Sequence, residues 1–389
     1  MRAKSFGDLA SRASCLTALR TLGAGTVSEI AEAAGTSRQT VDVALARLAE
    51  MGLAEYRVDS VLPHEGGGRP ARVSRFRADA GYVVGVDLIG TTVKVALADL
   101  AGRWVRVGSL RPPTPTSDRP ALDPVVAAVR DVVDEAGVDR SLLRAVGVGT
   151  SGVPSPDGSM LTSPLIKPWT EGNVGRQLSD LLGVPVVLDN DLTLGAIAES
   201  RLGALRGAAT AVFAETFYNL SARILIDGAV VRGRSGVAGE FGVLKAFGRR
   251  RSRLETYFSD VGRMDEVLHR LADGSDEPAD TAELDELVEA MAAPLAGLVL
   301  AVDPDVIALG GRLGRYASVL AKPLRAALRD AIEGGPPVDP RIVGAEFVTE
   351  GVLVGAIDQA FARFPDRIYG LDSIQPPTQL LPAEAAFAV

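Results

Sequence analysis

Residues 26–53, TVSEIAEAAGTSRQTVDVALARLAEMGL, decide the fold that we expect for the N-terminal part of this chain. Thr26 and Glu29 have the spacing of a capping box, which predicts that a helix begins there. Gly35 has the backbone freedom that a tight turn requires, and Ser37 can cap a second helix. Apolar residues recur at helical spacing on both sides of the turn; they are Val27, Ile30, Ala31, Ala34, Val41, Leu45 and Leu48. The stretch therefore predicts a helix-turn-helix.

A two-stranded wing is predicted to follow these helices. Polar and apolar residues alternate over 56–62 and again over 72–77, which is typical of a hairpin. The loop between them contains Gly66-Gly67-Gly68-Arg69-Pro70, a thin cationic segment that suits a narrow minor groove. We therefore expect residues 1–78 to be a winged helix-turn-helix that binds double-stranded operator DNA, with an ordinary helical hairpin as the alternative. The candidate DNA contacts are Ser37, Arg38, Gln39, Thr40, Arg69 and Arg72.

The composition of the chain indicates a multidomain protein of the cytoplasm. A length of 389 residues predicts two or three domains, and an apolar content of 47% is enough for real cores. Residues 1–80 hold 11 Lys+Arg and 9 Asp+Glu, whereas the remainder holds 30 and 40, so a mildly basic head precedes an acidic body. Cys15 is the single cysteine, which excludes a disulfide framework and a cysteine-rich metal site. No signal peptide or membrane-spanning apolar run is recognisable, so we expect a cytoplasmic protein without a membrane partner.

Strands and helices alternate after the wing, which predicts an α/β body. Three strands over residues 82–110 form a meander that opens this body. We expect two α/β lobes with a cleft between them. Residues 79–195 with 348–370 form the first lobe, and residues 196–347 form the second, which carries an oligomerisation surface. Residues 371–389 are a tail that contains three prolines, and we expect this tail at the surface or without fixed structure.

Three short segments of the body resemble one known family. They are Asn190-Asp191, Gly239-Glu240-Phe241-Gly242 and residues 303–311, DPDVIALGG. With these segments and the predicted winged helix, the chain resembles the ROK family, which groups sugar-responsive repressors and sugar kinases. The resemblance extends over about residues 12–362. It implies that the body has the two-lobed, actin-like or ribonuclease H-like sugar kinase fold, and that the N-terminal winged helix places the chain in the repressor branch.

The sugar-binding residues of that family have counterparts in this sequence. The resemblance implies that Asp191 occupies the position of the base that takes a proton from the sugar hydroxyl, and that Asn190 orients the sugar ring. It further implies that Glu240 and Glu255 contact the ligand, and that Gly152 does so from a glycine-containing segment at 147–154. A carboxylate beside an amide also suits a polyhydroxyl ligand without catalysis. A simple turn after a strand and a solvated carboxylate are the alternative interpretations.

The phosphate and zinc motifs of the family are damaged. Ile89 replaces the first glycine of the D-x-G-x-T motif that begins at Asp87, and residues 217–222, FYNLSA, lack the glycines of a second phosphate turn. Because glycines let backbone amides approach phosphates, these changes argue against ATP-driven phosphoryl transfer and for a vestigial base at Asp191. Residues 248–255 lack the zinc-binding cysteines, and Val243 replaces a usual histidine. We therefore expect no enzyme activity, no zinc or other metal, and no cofactor.

Three functions remain compatible with the sequence. The leading hypothesis is an operator-binding repressor whose body senses a sugar or sugar derivative without kinase activity. Because two-fold operators need a two-fold protein, this hypothesis implies a homodimer or homotetramer. The second hypothesis is an active ATP-dependent sugar kinase with an appended DNA-binding domain, in which Asp191 is the base. The third is a repressor that responds to nothing or to a ligand that is not a sugar.

Overall fold

Three helices and a small sheet form the N-terminal unit of the protein. The computed structural model describes residues 2–57, 72–89, 92–111, 122–163, 167–216, 220–240, 261–332 and 338–380. The unit consists of α1 (Arg2–Leu22), β1 (Ala24–Thr26), α2 (Val27–Ala34), α3 (Arg38–Glu50), β2 (Ala54–Arg57) and β3 (Val73–Phe76). Its sheet is antiparallel with the order β1-β3-β2. The expected hairpin is present as β2 and β3, whereas the expected wing loop with Arg69 lies outside the described residues.

The helix boundaries within this unit follow the expected capping residues. The Thr26 side chain accepts a hydrogen bond from the Glu29 amide at 3.3 Å, and the Glu29 carboxylate accepts one from the Thr26 amide at 2.7 Å. Gly35 ends α2 in the left-handed conformation, with φ at 62°. Ser37 caps α3 by accepting from the Thr40 amide at 3.1 Å. The expectation of two capped helices around a glycine turn is therefore confirmed.

The first lobe is built on a mixed five-stranded sheet with the order β10-β7-β4-β5-β6. Strands β4, β5 and β6 form the expected antiparallel meander, and β7 and β10 extend it in parallel. Helices α4 (Asp123–Glu135) and α5 (Val174–Leu182) belong to this lobe. The strands are β4 (Tyr82–Ile89), β5 (Thr92–Asp99), β6 (Trp104–Leu110), β7 (Leu143–Thr150) and β10 (Val186–Asn190), and β8 (Val153–Pro154) pairs with β9 (Met160–Thr162) beside them.

The second lobe repeats the same strand pattern in the order β13-β12-β11-β14-β15. Strands β13, β12 and β11 pair antiparallel. Strand β14 is parallel to β11, and β15 is parallel to β14. The strands are β11 (Thr210–Thr216), β12 (Leu220–Ile226), β13 (Ala229–Val230), β14 (Val306–Leu309) and β15 (Arg341–Gly344). The helices are α7 (Val261–Ala272), α8 (Pro278–Val302), α9 (Gly311–Gly314) and α10 (Ala317–Ala331). The expected α/β class with two lobes is therefore confirmed.

Two helices in direct contact connect the lobes. Helix α6 (Asp191–Leu202) contacts β12 and β13 of the second lobe, and α11 (Gly351–Arg363) packs on α6 and on β4 and β7 of the first. A Cβ atom at Gly355 would lie 2.1 Å from the Leu194 carbonyl oxygen, so only glycine permits this crossing of α6 and α11. The domain boundary that we expected between residues 195 and 196 falls inside α6, which is one continuous helix.

The C-terminal segment, residues 371–380, differs from its expectation. We expected a surface or unstructured tail, but Leu371, Ile374 and Leu380 are at most 4% exposed. They share a continuous core with α1, with β4 and β5, and with the short helix α12 (Pro365–Tyr369). Apolar burial outweighs the prolines here, because proline restricts the chain but does not prevent a segment from packing against a surface. In the part of the chain that the structure describes, no helix has the length and apolarity that crossing a membrane requires.

Candidate functional site

Charged side chains from both lobes converge near the start of α6. Asp87 lies near the end of β4, and Asp191 is the first residue of α6. Glu215 lies near the end of β11, and Arg223 lies in β12. Besides burial, the charge of Asp191 raises the pKa of both Asp87 and Glu215, so these three carboxylates are close neighbours. The fold therefore brings Asp191, which we expected in a site, together with Asp87, whose phosphate motif we regarded as damaged. It adds Glu215 and Arg223, which we did not expect there.

Arg223 is the centre of this cluster, although its guanidinium is almost fully buried at 2% exposure. Its Nη2 donates to Asn190 Oδ1 at 2.7 Å and to Glu240 Oε1 at 2.6 Å. Its Nε donates to the Thr193 hydroxyl at 2.8 Å, and its Nη1 donates to the Ala222 carbonyl at 2.9 Å. A buried guanidinium is stable only when its donors and its charge are satisfied, and these contacts do so.

Asn190 is held mainly by the protein itself. Its Oδ1 caps α6 by accepting from the Thr193 amide at 3.1 Å and also accepts from Arg223. Its Nδ2 donates to the Gly152 carbonyl at 2.9 Å. The expected ligand residues Asn190 and Gly152 are thus brought together, but both acceptor positions of the amide oxygen are occupied. Only one Nδ2 hydrogen is left for a ligand, so Asn190 chiefly positions its neighbours.

Glu240 keeps one carboxylate oxygen for a ligand. Its Oε1 is bound to Arg223, and its side chain is 28% exposed. The ion pair therefore fixes the carboxylate without covering it. An ionised carboxylate has no donor and accepts hydrogen bonds at both oxygens, so the second oxygen suits a hydroxyl group. This placement agrees with the role that the sequence suggested for Glu240.

Burial raises the pKa of two carboxyls in the cleft, Asp191 and Glu215. Burial raises the pKa of Asp191 to about 6, even though the hydrogen bond from the Leu192 amide and the charge of Arg223 lower it. Burial, followed by the charge of Asp191, raises the pKa of Glu215 to about 7. A carboxyl with a pKa near 6 is largely ionised at neutral pH and yet can accept a proton, which suits a general base.

Asp87 is the most isolated of these acids. Its side chain is 2% exposed, and its Oδ1 is buried without a hydrogen-bond partner. Burial and the charge of Asp191 raise its pKa to about 7, despite the favourable charge of Lys94 directly opposite on β5. A native protein rarely leaves a buried polar atom unpaired, so this oxygen is suited to a cationic or proton-donating ligand.

The glycines of segment 147–154 are explained by packing. A Cβ atom at Gly147 would lie 2.0 Å from the Ala356 carbonyl oxygen, and one at Gly149 would lie 2.3 Å from Val352 Cγ1. Both glycines therefore let α11 approach the sheet. Gly311 has a left-handed backbone at φ 58°, and its missing Cβ leaves room for the Glu215 carboxylate. These glycines therefore serve close packing in this structure.

A second ion pair flanks the cluster. Arg232 donates to both carboxylate oxygens of Asp189, at 2.8 and 2.6 Å. Asp189 Oδ1 also accepts from the Asn190 amide at 2.9 Å, so the pair fixes the strand end that precedes α6. Sequence reasoning missed Arg223 and Arg232, because neither lies in a motif. An arginine in an otherwise apolar strand, as in residues 220–226, was the available signal for Arg223.

Several expected site residues lie outside the described part of the chain. These are Glu255, Val243, the zinc-loop region 248–255 and residues 217–219 of the phosphate turn. Among the described residues, no group of three or more His, Cys, Asp and Glu side chains is arranged to hold a metal ion. The absence of zinc and other cofactors therefore stays a prediction.

The N-terminal unit presents part of its expected contact surface to solvent. Arg38 and Gln39 are exposed, whereas Ser37 and Thr40 are bonded to each other at the cap of α3. The Arg72 guanidinium lies over the Tyr56 ring at 3.4 Å from its centroid. Val43 is 54% exposed, four residues after Gln39 on the same helix. Exposed apolar contact area beside Gln39 is a feature that the motif alone did not reveal.

Comparisons with known proteins show what the body is similar to. Residues 83–250 match the profile of the ROK family. A glucokinase from Streptomyces coelicolor is 26% identical over 326 residues, which cover 74% of this chain and 99% of that protein. The crystal structure of a ROK family glucokinase from Streptomyces griseus, in complex with glucose and AMPPNP, is 26% identical, covers 72% of this chain and 99% of that one, and has a TM-score of 0.54.

A ROK family transcriptional regulator, a homologue of the E. coli MLC protein, shares more of the fold. The alignment covers 92% of this chain and 98% of the regulator, with 18% sequence identity and a TM-score of 0.64. Since residues 1–78 make up a fifth of the 389 residues, a match over 92% must extend into the N-terminal unit. The sugar-kinase-like fold of the body is therefore confirmed. The expectation that the chain is not an enzyme is contradicted, because the relatives that match its body include glucokinases.

Proposed function

Because residues 83–250 match the profile of the ROK family, we propose that the cleft binds a sugar and that the body transfers a phosphoryl group to it. The observation that carries the proposal is Asp191, a carboxylate with a raised pKa at the start of α6, next to Arg223 and Glu240. Relatives that are glucokinases, one of them solved with glucose, support a hexose as the sugar.

Each step of this reaction has a residue in the cleft. The attacking sugar hydroxyl donates its proton to Asp191 while its oxygen bonds to the γ-phosphorus of ATP, and the bond from that phosphorus to ADP breaks. The free oxygen of Glu240 accepts a second sugar hydroxyl and so orients the ring. Asp87 lies on the phosphate side, and its unpaired Oδ1 suits the metal ion that accompanies ATP as substrate. We propose no resident zinc, and metal analysis of the purified protein should find none at stoichiometric level.

A coupled assay of ADP release tests the reaction across glucose, mannose and N-acetylglucosamine. We expect turnover with at least one sugar and its loss in Asp191→Asn, which cannot accept the proton. Asp134→Asn, an exposed aspartate paired with Arg140, is the matched control and should keep full activity. Sugar binding by calorimetry without any turnover would leave the cleft a sugar site and overturn phosphoryl transfer. No binding of any sugar would favour a protein that responds to nothing or to another ligand.

We propose DNA binding as a second function, carried by the N-terminal unit. Three features of this unit favour DNA binding: the capped α2-turn-α3 pair, the β2–β3 hairpin and the exposed face of α3. Arg38 and Gln39 can make bidentate hydrogen bonds to guanine and adenine edges in a major groove. Val43 adds apolar surface suited to a thymine methyl group. Arg69 and Arg72 would contact the backbone or minor groove from the wing.

Footprinting and electrophoretic mobility shifts on upstream sequences test DNA binding. Arg38→Ala and Gln39→Ala should relax the preference for one DNA sequence. Arg69→Ala should instead weaken binding to all sequences and lower the slope of log affinity against log salt concentration by about one. Arg106→Ala, on β6 in the body, is the control that should change neither. A protected pseudo-palindrome would require a homodimer or homotetramer, which light scattering can measure. Absence of sequence-specific protection at low salt would sink this second function.

A further inference from the structure

A cavity of about 280 Å³ lies between the N-terminal unit, the first lobe and the C-terminal segment. It is separate from the cleft at Asp191. One wall is the end of α1 and the start of β1, at residues 21–24. The others are Arg75 and Phe76 of β3, the turn with Arg103 between β5 and β6, and residues 377–379. A ligand in this cavity would contact all three parts of the molecule at once.

The wall of this cavity is cationic. Arg20, Arg75 and Arg103 line it, and none of its lining residues is acidic. The Arg75 side chain is 48% exposed and lies 3.7 Å from Glu55, and the Arg103 side chain is 63% exposed and lies 3.0 Å from Asp99. The exposed Arg75–Glu55 pair is weak, so Arg75 is able to turn toward a ligand. Arg103 stays on the buried Asp99 carboxylate, which it binds through Nε and Nη2, and offers its remaining N–H groups to a ligand. Asp99 and Glu55 belong to a neighbouring smaller cleft.

Arg20 is different, because its positive charge is buried. It is 8% exposed, and it donates to the Tyr369 hydroxyl at 2.9 Å, to the Gln375 carbonyl at 2.8 Å and to the Pro376 carbonyl at 3.3 Å. All of these acceptors are neutral, and no ion pair joins Arg20 to a carboxylate in the described residues. The carboxyl end of α1 offers only about half a negative charge. Buried charges are normally compensated by a counter-charge, and the described residues place no carboxylate in an ion pair with Arg20.

We propose that this cavity binds a small phosphate monoester, such as a sugar phosphate. Three guanidinium groups around one space suit a phosphate, because their positive charge and N–H donors match its oxygens. A volume of about 280 Å³ is just below the range of drug-sized sites, so a compact metabolite fits and an extended one does not. Residues 377–379 and the β5–β6 turn line the same space and would contact the sugar part.

Free inorganic phosphate offers the same chemistry, and the experiment separates the two sources. Calorimetry on the full chain uses glucose 6-phosphate, inorganic phosphate and glucose at constant ionic strength. We expect glucose 6-phosphate to bind. The double variant with Arg75→Gln and Arg103→Gln should weaken its affinity by about tenfold or more. Binding of inorganic phosphate with equal affinity would support the same site and identify the free ion as its ligand. Arg20→Lys, which keeps the charge, should retain part of the affinity.

Two controls make the proposal falsifiable. Arg106→Gln removes an exposed arginine that pairs with Glu135 away from the cavity, and it should leave the affinity unchanged. Excess glucose, which would fill the interlobe cleft, should also leave the binding that depends on Arg75 and Arg103 unchanged. An equal loss in Arg106→Gln would indicate general charge attraction, and loss of this binding in excess glucose would place the ligand in the cleft. Either result, or no binding of both phosphates, overturns the proposal. This inference does not depend on kinase activity or on DNA binding.

Discussion

Arg223 Nη2 lies 2.6 Å from Glu240 Oε1, and the same nitrogen lies 2.7 Å from Asn190 Oδ1. This one buried guanidinium therefore joins β12 of the second lobe to the start of α6 and to the segment that carries Glu240. It holds two of the expected sugar contacts in fixed positions and leaves one oxygen of Glu240 open. The cleft is consequently preorganised before a ligand arrives.

Replacement of Arg223 should destabilise the protein. Arg223→Leu leaves the Glu240 carboxylate and the Thr193 hydroxyl without their partner, and we expect a loss of about 3 kcal/mol in the free energy of unfolding. Arg223→Lys should be intermediate, because it restores the charge but not the planar fork. Urea denaturation measures both. Arg106→Leu, which breaks the exposed pair with Glu135, should change stability by about 0.5 kcal/mol or less. An equal effect of the two leucine variants would contradict a structural role for Arg223.

The ionisation of Asp87 should make stability depend on pH. Its pKa is about 7 in the folded protein and 3.8 in the reference state, so the folded state binds more protons between these values. The contribution of Asp87 to the free energy of unfolding therefore falls as the pH rises from about 4 to about 7, and it stays low above that pH. At about 1.4 kcal/mol per pH unit, the full cost at pH 8 is roughly 4 kcal/mol. Asp87→Asn should remove this cost, which thermal unfolding at pH 8 and pH 5 can detect.

Asp134 provides the control of opposite sign. The Arg140 side chain holds the pKa of that carboxyl below its usual value, so its contribution is present above pH 4 and is lost at lower pH. Asp134→Asn should therefore not stabilise the protein at pH 8. If Asp87→Asn also failed to stabilise at pH 8, the unpaired Oδ1 would have a compensating partner.

The hydroxyl of Tyr369 should contribute to the contact between the N-terminal unit and the body. It donates to the Leu100 carbonyl at 2.8 Å and accepts from Arg20 at 2.9 Å. Burial raises the pKa of Tyr369 to about 12, so the donor proton is retained at every physiological pH. Tyr369→Phe should lower the free energy of unfolding by about 2 kcal/mol, because two buried groups lose a partner.

Tyr316→Phe is the matched control for this prediction. The Tyr316 hydroxyl makes one long, partly exposed hydrogen bond to the Asp265 carbonyl at 3.4 Å. Its removal should change stability by about 0.5 kcal/mol or less. Denaturation curves of the two variants, compared side by side, decide whether the Arg20–Tyr369–Leu100 chain is a stabilising connection.

The capping box at the start of α2 should contribute to the stability of the N-terminal unit. Thr26→Ala removes the acceptor for the Glu29 amide and should cost about 1 kcal/mol. Hydrogen exchange of the α2 amides is the direct readout, with faster exchange expected in the variant. Thr281→Ala, at an exposed position in α8 whose hydroxyl bonds within the helix, should leave α2 exchange unchanged. Unchanged exchange in Thr26→Ala would argue that packing on α1 alone fixes α2.

Sequence reasoning was most accurate where the contacts are local. The capping residues Thr26, Glu29 and Ser37 lie within three positions of their partners, so spacing alone predicted them. The alternation of strands and helices is also a local pattern, and it predicted the two lobes. The prediction of no enzyme activity was wrong, because it interpreted lost glycines as lost activity, while the relatives that match the body include sugar kinases.

The sequence by itself determined the two capped helices around Gly35 and the meander, because each follows from short-range periodicity or from local capping residues. The roles of Asp191 and Glu240 came from the family resemblance and stay predictions. The tertiary structure alone decided that Arg223 would hold Asn190 and Glu240, residues 33 and 17 positions away. It also decided that a proline-containing C-terminal segment would be buried against Arg20, about 355 positions distant. Such contacts depend on how whole sheets and helices pack, and no local pattern encodes that packing.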